Sequence, residues 1–198
     1  MAITGTNTRE RLINTATRLL WEQSYQGTSV DMLCSRADIR KGSFYHFFKS
    51  KTELAVAAIE SSWLRTERTI FAQIFHSDDG GMAQLNHLID KVDEIQASML
   101  KNRGIYPGCP FGNLGQEMAN QDELIRAGIQ RVFELHCDYI EAALRKAQAS
   151  GEIPAGDARA RARNVFALFE GALLIAKVAK DPALFRSVAS SVKAVAAA

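Results

Sequence analysis

The sequence predicts an all-α protein, with a short three-helix head followed by a larger helical body. Two observations point there. Apolar residues recur at helical spacing nearly throughout the chain, with no convincing alternating stretch bounded by turns, and capping residues stand where the periodic segments begin. With 198 residues the chain is long enough to bury a core, as one domain or as a small module fused to a larger one. Four prolines and 47% hydrophobic residues argue against disorder and against a proline-rich linker.

Leu12, Ile13, Ala16, Leu19 and Leu20 give a first amphipathic helix, begun at an Asn7-x-x-Glu10 capping pattern and closed by Gly27. Thr28 with Asp31 three residues on is a capping-box variant. Val30, Leu33, Cys34 and Ala37 then form the stripe of a short second helix that ends at Asp38. A third helix is expected from about Lys41 to Phe47, and Ser50-x-x-Glu53 caps a long fourth helix running toward His76. The loop 77–81 precedes a helix over roughly 82–102. The stretch 103–117 holds two of the four prolines and four glycines. Helical periodicity returns over about 122–149 and again over 157–180. Pro182 suits the first turn of a terminal helix whose Leu184, Phe185, Val188 and Val192 share one side.

No run of apolar residues approaches eighteen, and the amino terminus lacks the apolar core of a signal peptide, so neither membrane insertion nor secretion is expected. Cys34, Cys109 and Cys137 are odd in number and widely spaced, without a Cys-x-x-Cys pair. They predict reduced thiols in a cytoplasmic protein rather than a disulfide scaffold or a zinc site. His136 and Cys137 are adjacent and diverge by about 100° on a helix, so no metal site is expected there, and no cofactor is expected either. The formal charge of +2 is unevenly placed: residues 1–53 carry a net +3 and the rest a net −1. Between Arg36 and Lys51 five basic residues accompany one acid, the local density expected where a protein meets phosphates.

Two short helices joined by a tight turn, buttressed by a preceding helix and followed by a basic aromatic segment, match the plan of a helix-turn-helix DNA reader. Residues 28–54 go further. Ala37, Ile39, Gly42, Phe44, Tyr45, Phe48, Lys49, Ser50, Lys51 and Leu54 stand in the register of the DNA-binding domain of TetR-type bacterial transcription regulators, which this segment strongly resembles. Asp38 departs from the pattern, since that turn usually carries glycine, but aspartate tolerates the left-handed conformation better than most residues. The resemblance implies a helix-turn-helix DNA-binding domain over 1–54 and, over 55–198, a helical ligand-binding and dimerisation bundle.

The residues have physical reasons to serve DNA binding. Phe44 and Phe48, four apart, lie on one face of the third helix and leave the other for the major groove. Gly42 and Ser43 are small enough for close backbone approach, while Arg40, Lys41, Ser43 and His46 reach base edges or phosphates. Tyr45 offers a ring and a hydroxyl, and Lys49 adds charge. By resemblance Thr28 caps the second helix against a phosphate. Lys51 is placed at the positive end of the fourth helix, where an anion is favoured.

In the body, 106–117 resembles a Gly-Cys-x-x-Gly-Asn-Leu-x-x-Glu segment found in a subgroup of these regulators, some of which sense electrophiles or oxidants with a cysteine in this neighbourhood. Cys109 near a helix start is a candidate for a reactive thiol, or else a small wall residue. Asn113 and Glu117 share a helical face and either point into a cavity or satisfy nearby backbone. Phe133, His136, Phe166 and Phe169 are candidates to line a small-ligand pocket, or plain core. The apolar segment within 157–180, together with the terminal helix, is the expected homodimer interface.

The reading implied is a ligand-responsive transcriptional regulator, a repressor that binds a palindromic double-stranded operator as a dimer and is released by a small molecule or by thiol modification. Two other classes compete with it. A thiol-dependent enzyme would use Cys109 with His136 as base, yet no oxyanion, phosphate-loop or paired-carboxylate motif accompanies them. A helical interaction module would have a filled core and no ligand.

Overall fold

The computed structural model describes residues 8–198, so the expected Asn7 cap lies outside the described residues. Every regular element among these is helical: α1 (Thr8–Glu22), α2 (Val30–Ala37), α3 (Lys41–Phe47), α4 (Lys51–Thr66), a π-helical turn (Glu67–Phe71), α5 (Ala72–Phe75), α6 (Gly81–Arg103), α7 (Pro110–Met118), α8 (Glu123–Ala149), α9 (Ala158–Ala179), α10 (Pro182–Ala189) and α11 (Val192–Ala197).

The described residues gather into two compact units, 8–65 with 110–131 and 66–109 with 132–198. That grouping departs from the division expected after Leu54. The reason lies in α4, whose apolar face runs on through Ala55, Ala58, Ile59 and Trp63 without a break, all of them buried. In the first unit Leu12, Ile13, Leu19, Leu33, Phe44, Phe48, Leu54 and Ala58 form one core that fixes α2 and α3 on α1 and α4. A Cβ at Gly128 of α8 would make ordinary contact with Ile59, 3.8 Å away.

In the second unit Gly81 is required by packing: a Cβ there would sit 2.0 Å from the Ala143 carbonyl oxygen, so α6 begins directly against the backbone of α8. α6 ends at Gly104, with φ 67°, and Gln96 helps to hold the strap that follows. Gln96 donates to the Gly108 carbonyl at 3.1 Å and accepts from the Gly108 amide at 3.0 Å. Arg159 at the start of α9 ties to Glu134, Asp138 and Glu141 of α8.

Two elements differ from the sequence expectation. The long fourth helix stays helical to Phe75 but widens to π geometry over Glu67–Phe71. Both ends of that turn face α8, where Tyr139 donates to Glu67 at 3.0 Å and Phe71 packs on His136 and Tyr139. The terminal helix is split in two at Ser190 and Ser191. The Ser190 hydroxyl donates to the Ser187 carbonyl at 2.6 Å, a local bond of the kind that competes with helix continuation.

Candidate functional site

The head is built around two caps. Ser29, with extended backbone, accepts from the Met32 amide and so caps α2. Thr28 does not hold that position. It is fully buried and its hydroxyl donates to the Ser24 carbonyl at 2.7 Å, which turns it away from any phosphate. At the other end of α2, Asp38 takes φ 51°, the left-handed turn expected of it. Arg11 binds the carbonyl oxygens of Ala37 and Asp38 and steadies this turn.

α3 buries Phe44 and leaves Arg40, Lys41, Gly42, Tyr45, His46 and Lys49 exposed around it, with Ser43 half-buried. Tyr45 is 52% exposed, its ring edge-on to Phe44, so packing fixes the ring base while the hydroxyl faces outward. A Cβ at Gly42 would meet nothing within 4 Å, so internal packing does not require glycine there. Lys41 pairs with Asp31 at 2.8 Å across the two exposed helix ends.

Lys51 and Glu117 sit differently from their sequence reading. The Lys51 ammonium donates to the carbonyls of Tyr25 and Thr28, each at 3.0 Å, and lies 4.0 Å from the centre of the Tyr25 ring. Burial pushes its pKa down, with the charge of Glu117 opposing the shift. Its charge is therefore directed into the α1–α2 turn rather than presented to a phosphate. Of the two alternatives for Glu117, satisfying backbone is the one observed. Its carboxylate accepts from the amides of Tyr25 and Gln26, both at 2.8 Å. Asn113 is half-buried on the same helix, in the first unit.

Cys34 lies in the core of the head, and Cys109 and Cys137 belong to the second unit. Burial pushes the thiols of Cys34 and Cys137 up, whereas Cys109 is half-exposed and hydrogen-bonded to Glu170. Burial also raises the Glu170 pKa, an effect that the Cys109 bond opposes. One turn earlier on α9, Phe166 meets Phe133 at 5.0 Å and His136 at 5.4 Å between ring centres. Burial holds the His136 pKa down to about 4, against the opposing effect of its Nδ1 bond to the Val132 carbonyl at 2.7 Å, so the ring is neutral at pH 7. Phe169 does not join this group; it is buried edge-on against Phe185, in the packing of α9 on α10. Glu170, an acid within the apolar run of α9, escaped the sequence reading, although its isolation there was the available signal. Tyr25 and Asp122 escaped it too, because their roles depend on contacts across 92 residues, to Glu117, and across 70, to Thr52.

Residues 12–58 match the family described as bacterial regulatory proteins, tetR family, and residues 81–192 match the tetracyclin repressor-like C-terminal domain. The chain belongs to the TetR family of transcriptional regulators. Transcriptional regulator AcuR of Cereibacter sphaeroides is 34% identical over 176 residues, spanning 87% of this chain and 78% of that one. The HTH-type transcriptional repressor NemR of Escherichia coli is 24% identical over 179 residues, spanning 88% and 86%. The crystal structure of a regulatory protein TetR from Rhodobacter sphaeroides matches with a TM-score of 0.85 at 30% identity, over 96% of this chain and 99% of the other. The reduced form of Escherichia coli NemR shares the fold, with a TM-score of 0.82 at 22% identity over 96% of each chain. As a TetR-family member the protein is a transcriptional regulator, and no helix among the described residues is long and apolar enough to cross a membrane.

Proposed function

We propose that this regulator represses from a palindromic operator bound as a homodimer, and lets go when a small electrophile or oxidant modifies Cys109. The observation that carries the reading is the placement of α7. Cys109 immediately precedes the first residue of α7, and the last turn of the same helix carries Glu117, bonded to the backbone of the head. A change that displaces the start of this nine-residue helix acts on a rigid lever whose far end grips the α1–α2 turn. Arg40, Lys41, Ser43, Tyr45, His46 and Lys49 are the groups offered to DNA, with Gly42 allowing close approach.

A second reading rests on the neutral His136 among the rings of Phe71, Phe133 and Phe166. An uncharged, largely apolar effector suits such surroundings better than an anion, because a neutral imidazole supplies no counter-charge. The enzyme alternative needs His136 as a base for Cys109. A ring whose basicity burial suppresses to a pKa of about 4 is poorly suited to that task.

Fluorescence anisotropy with labelled DNA from upstream of the gene, against scrambled DNA and at two salt concentrations, tests the reading. Saturable binding of two protomers, abolished by iodoacetamide in the wild type but retained in alkylated Cys109→Ser, is the expected result. Wild-type binding that survives alkylation would remove the thiol from the mechanism. Failure to enrich any sequence in a random-site selection would remove the operator.

A further inference from the structure

The turn between α1 and α2 is bracketed by two opposite charges, each matched to the backbone groups it meets. On one side Glu117 takes the amides of Tyr25 and Gln26; on the other Lys51 takes the carbonyls of Tyr25 and Thr28. Charge-assisted bonds of this kind are roughly twice as strong as neutral ones. The flanking side chains complete the enclosure. Gln26 donates to Gln121 at 2.8 Å, and Thr52 lies 3.0 Å from the Tyr25 hydroxyl and donates to Asp122 at 2.8 Å. Since the single Thr52 proton goes to a carboxylate, the Tyr25 hydroxyl is the donor in its bond to Thr52. The other oxygen of Asp122 accepts from the amides of Leu124 and Ile125 and caps α8.

We infer that Glu117 is a positioning residue for operator binding, acting through the α1–α2 turn rather than touching DNA. The turn ends at Thr28, whose neighbour Ser29 caps α2, and α2 in turn shares the core of Leu33, Phe44 and Phe48 with the recognition helix. Two successive amides in a turn that follows a helix cannot both be satisfied by helix geometry. Glu117 supplies two oxygens on one rigid carbon, which holds both amides at once and selects a single turn conformation. When that conformation is one of several, apparent affinity falls in proportion to the fraction of molecules that hold it. Glutamine at 117 keeps one acceptor oxygen but sets an NH2 group against the other amide, so the grip is lost with little change in size.

The test uses full-length Glu117→Gln and a duplex obtained by random-site selection with the wild type, so that wild-type binding is given before the variant is measured. Amide hydrogen exchange should accelerate at Tyr25 and Gln26. Operator affinity should weaken roughly 3- to 30-fold for a competent fraction reduced by that factor. The salt dependence should stay unchanged, because no phosphate contact is removed. Unchanged affinity despite faster exchange would overturn the inference, and so would a shallower salt dependence. Should Glu117→Gln fail to fold, Gln121→Ala removes the side-chain bonds that Gln121 makes to Gln26 and to the Glu117 carbonyl while leaving the Glu117 carboxylate in place; a smaller loss in the same direction is then expected, and full affinity overturns the proposal. Because none of these measurements involves a thiol reagent, they succeed or fail independently of the Cys109 reading.

Discussion

Lys51 and Glu117 close on the backbone of Tyr25 from opposite sides, the ammonium on its carbonyl at 3.0 Å and the carboxylate on its amide at 2.8 Å. For Lys51 this predicts a structural rather than a phosphate-binding signature. Lys51→Ala should lower stability by about 1–3 kcal/mol, the range for charged hydrogen bonds to buried backbone, and leave the salt slope of operator binding unchanged. Lys49→Ala, which removes an exposed charge from the end of the recognition segment, should reduce that slope by about 1 if it neutralises one phosphate. Anisotropy titrations across a salt series separate the two. A slope reduced by Lys51→Ala instead would mean that the ammonium swings out onto DNA.

His136 makes stability depend on pH. Its folded-state pKa, about 4, lies below the ordinary histidine value, so the unfolded chain binds the extra proton first as pH falls. The contribution is full above about pH 6.5 and is lost progressively down to about 4, a total of about 3 kcal/mol at 1.36 kcal/mol per pKa unit. Urea midpoints at pH 7.5 and 5 should therefore differ more for the wild type than for His136→Phe, whose ring keeps the contacts with Phe71 and Phe166. Equal pH dependence in the two proteins would show that the imidazole titrates normally.

Asp93 on α6 is buried, with one oxygen 2.7 Å from Arg186 of α10, while its other oxygen and the buried Tyr106 hydroxyl have no hydrogen-bond partner. Burial beside Asp93 and Asp181 pushes the Tyr106 pKa up to about 12, so the phenol stays neutral. Arg186→Ala should destabilise by roughly 1–3 kcal/mol. That is less than the usual cost of breaking a buried pair, because the arginine is 64% exposed and its removal admits water. Tyr106→Phe should be neutral, or stabilising by about 1 kcal/mol, since an unmatched hydroxyl leaves the interior. Thermal denaturation decides both, and a clear loss for Tyr106→Phe would reveal a bond that this hydroxyl makes in solution.

The head was the more legible half of the molecule. Its caps, its tight turn and the spacing of Phe44 and Phe48 are local signals, and local signals survive in a sequence. The shift of the α2 cap from Thr28 to Ser29 shows how far they reach: both residues suit the position, and only burial of Thr28 against Ser24 decides between them. Glu117 was legible as a polar group on one face of a helix but not as a partner of Tyr25, because nothing in the spacing of residues 106–117 refers to residues 25 and 26. The π-helical turn left no sequence mark, and the contacts at its two ends, Tyr139 with Glu67 and His136 with Phe71, are made across about seventy residues. Phe169 was separable from Phe133 and Phe166 only once the packing of α9 on Phe185 was known.

The apolar segment of α9 makes the most consequential prediction. Leu174, Ile175 and Val178 are 43%, 51% and 78% exposed, and a Cβ at Gly171 on the same stripe would meet nothing within 4 Å. A helix that shows large aliphatic side chains beside a glycine offers a second copy both a hydrophobic surface and a close approach, in keeping with a two-fold interface. Ile175→Glu places a charge at the centre of that stripe, where pairing would bury it without a counter-ion. The variant should keep its helicity, since the position is exposed within the protomer. It should sediment as a monomer at micromolar concentration where the wild type is expected to sediment as a dimer, with dimer affinity reduced at least about 100-fold for a cost near 3 kcal/mol. Operator affinity should fall with it, because two half-sites are engaged by two heads held at a fixed spacing. A variant that remains dimeric and binds operator normally would place the interface elsewhere on the body.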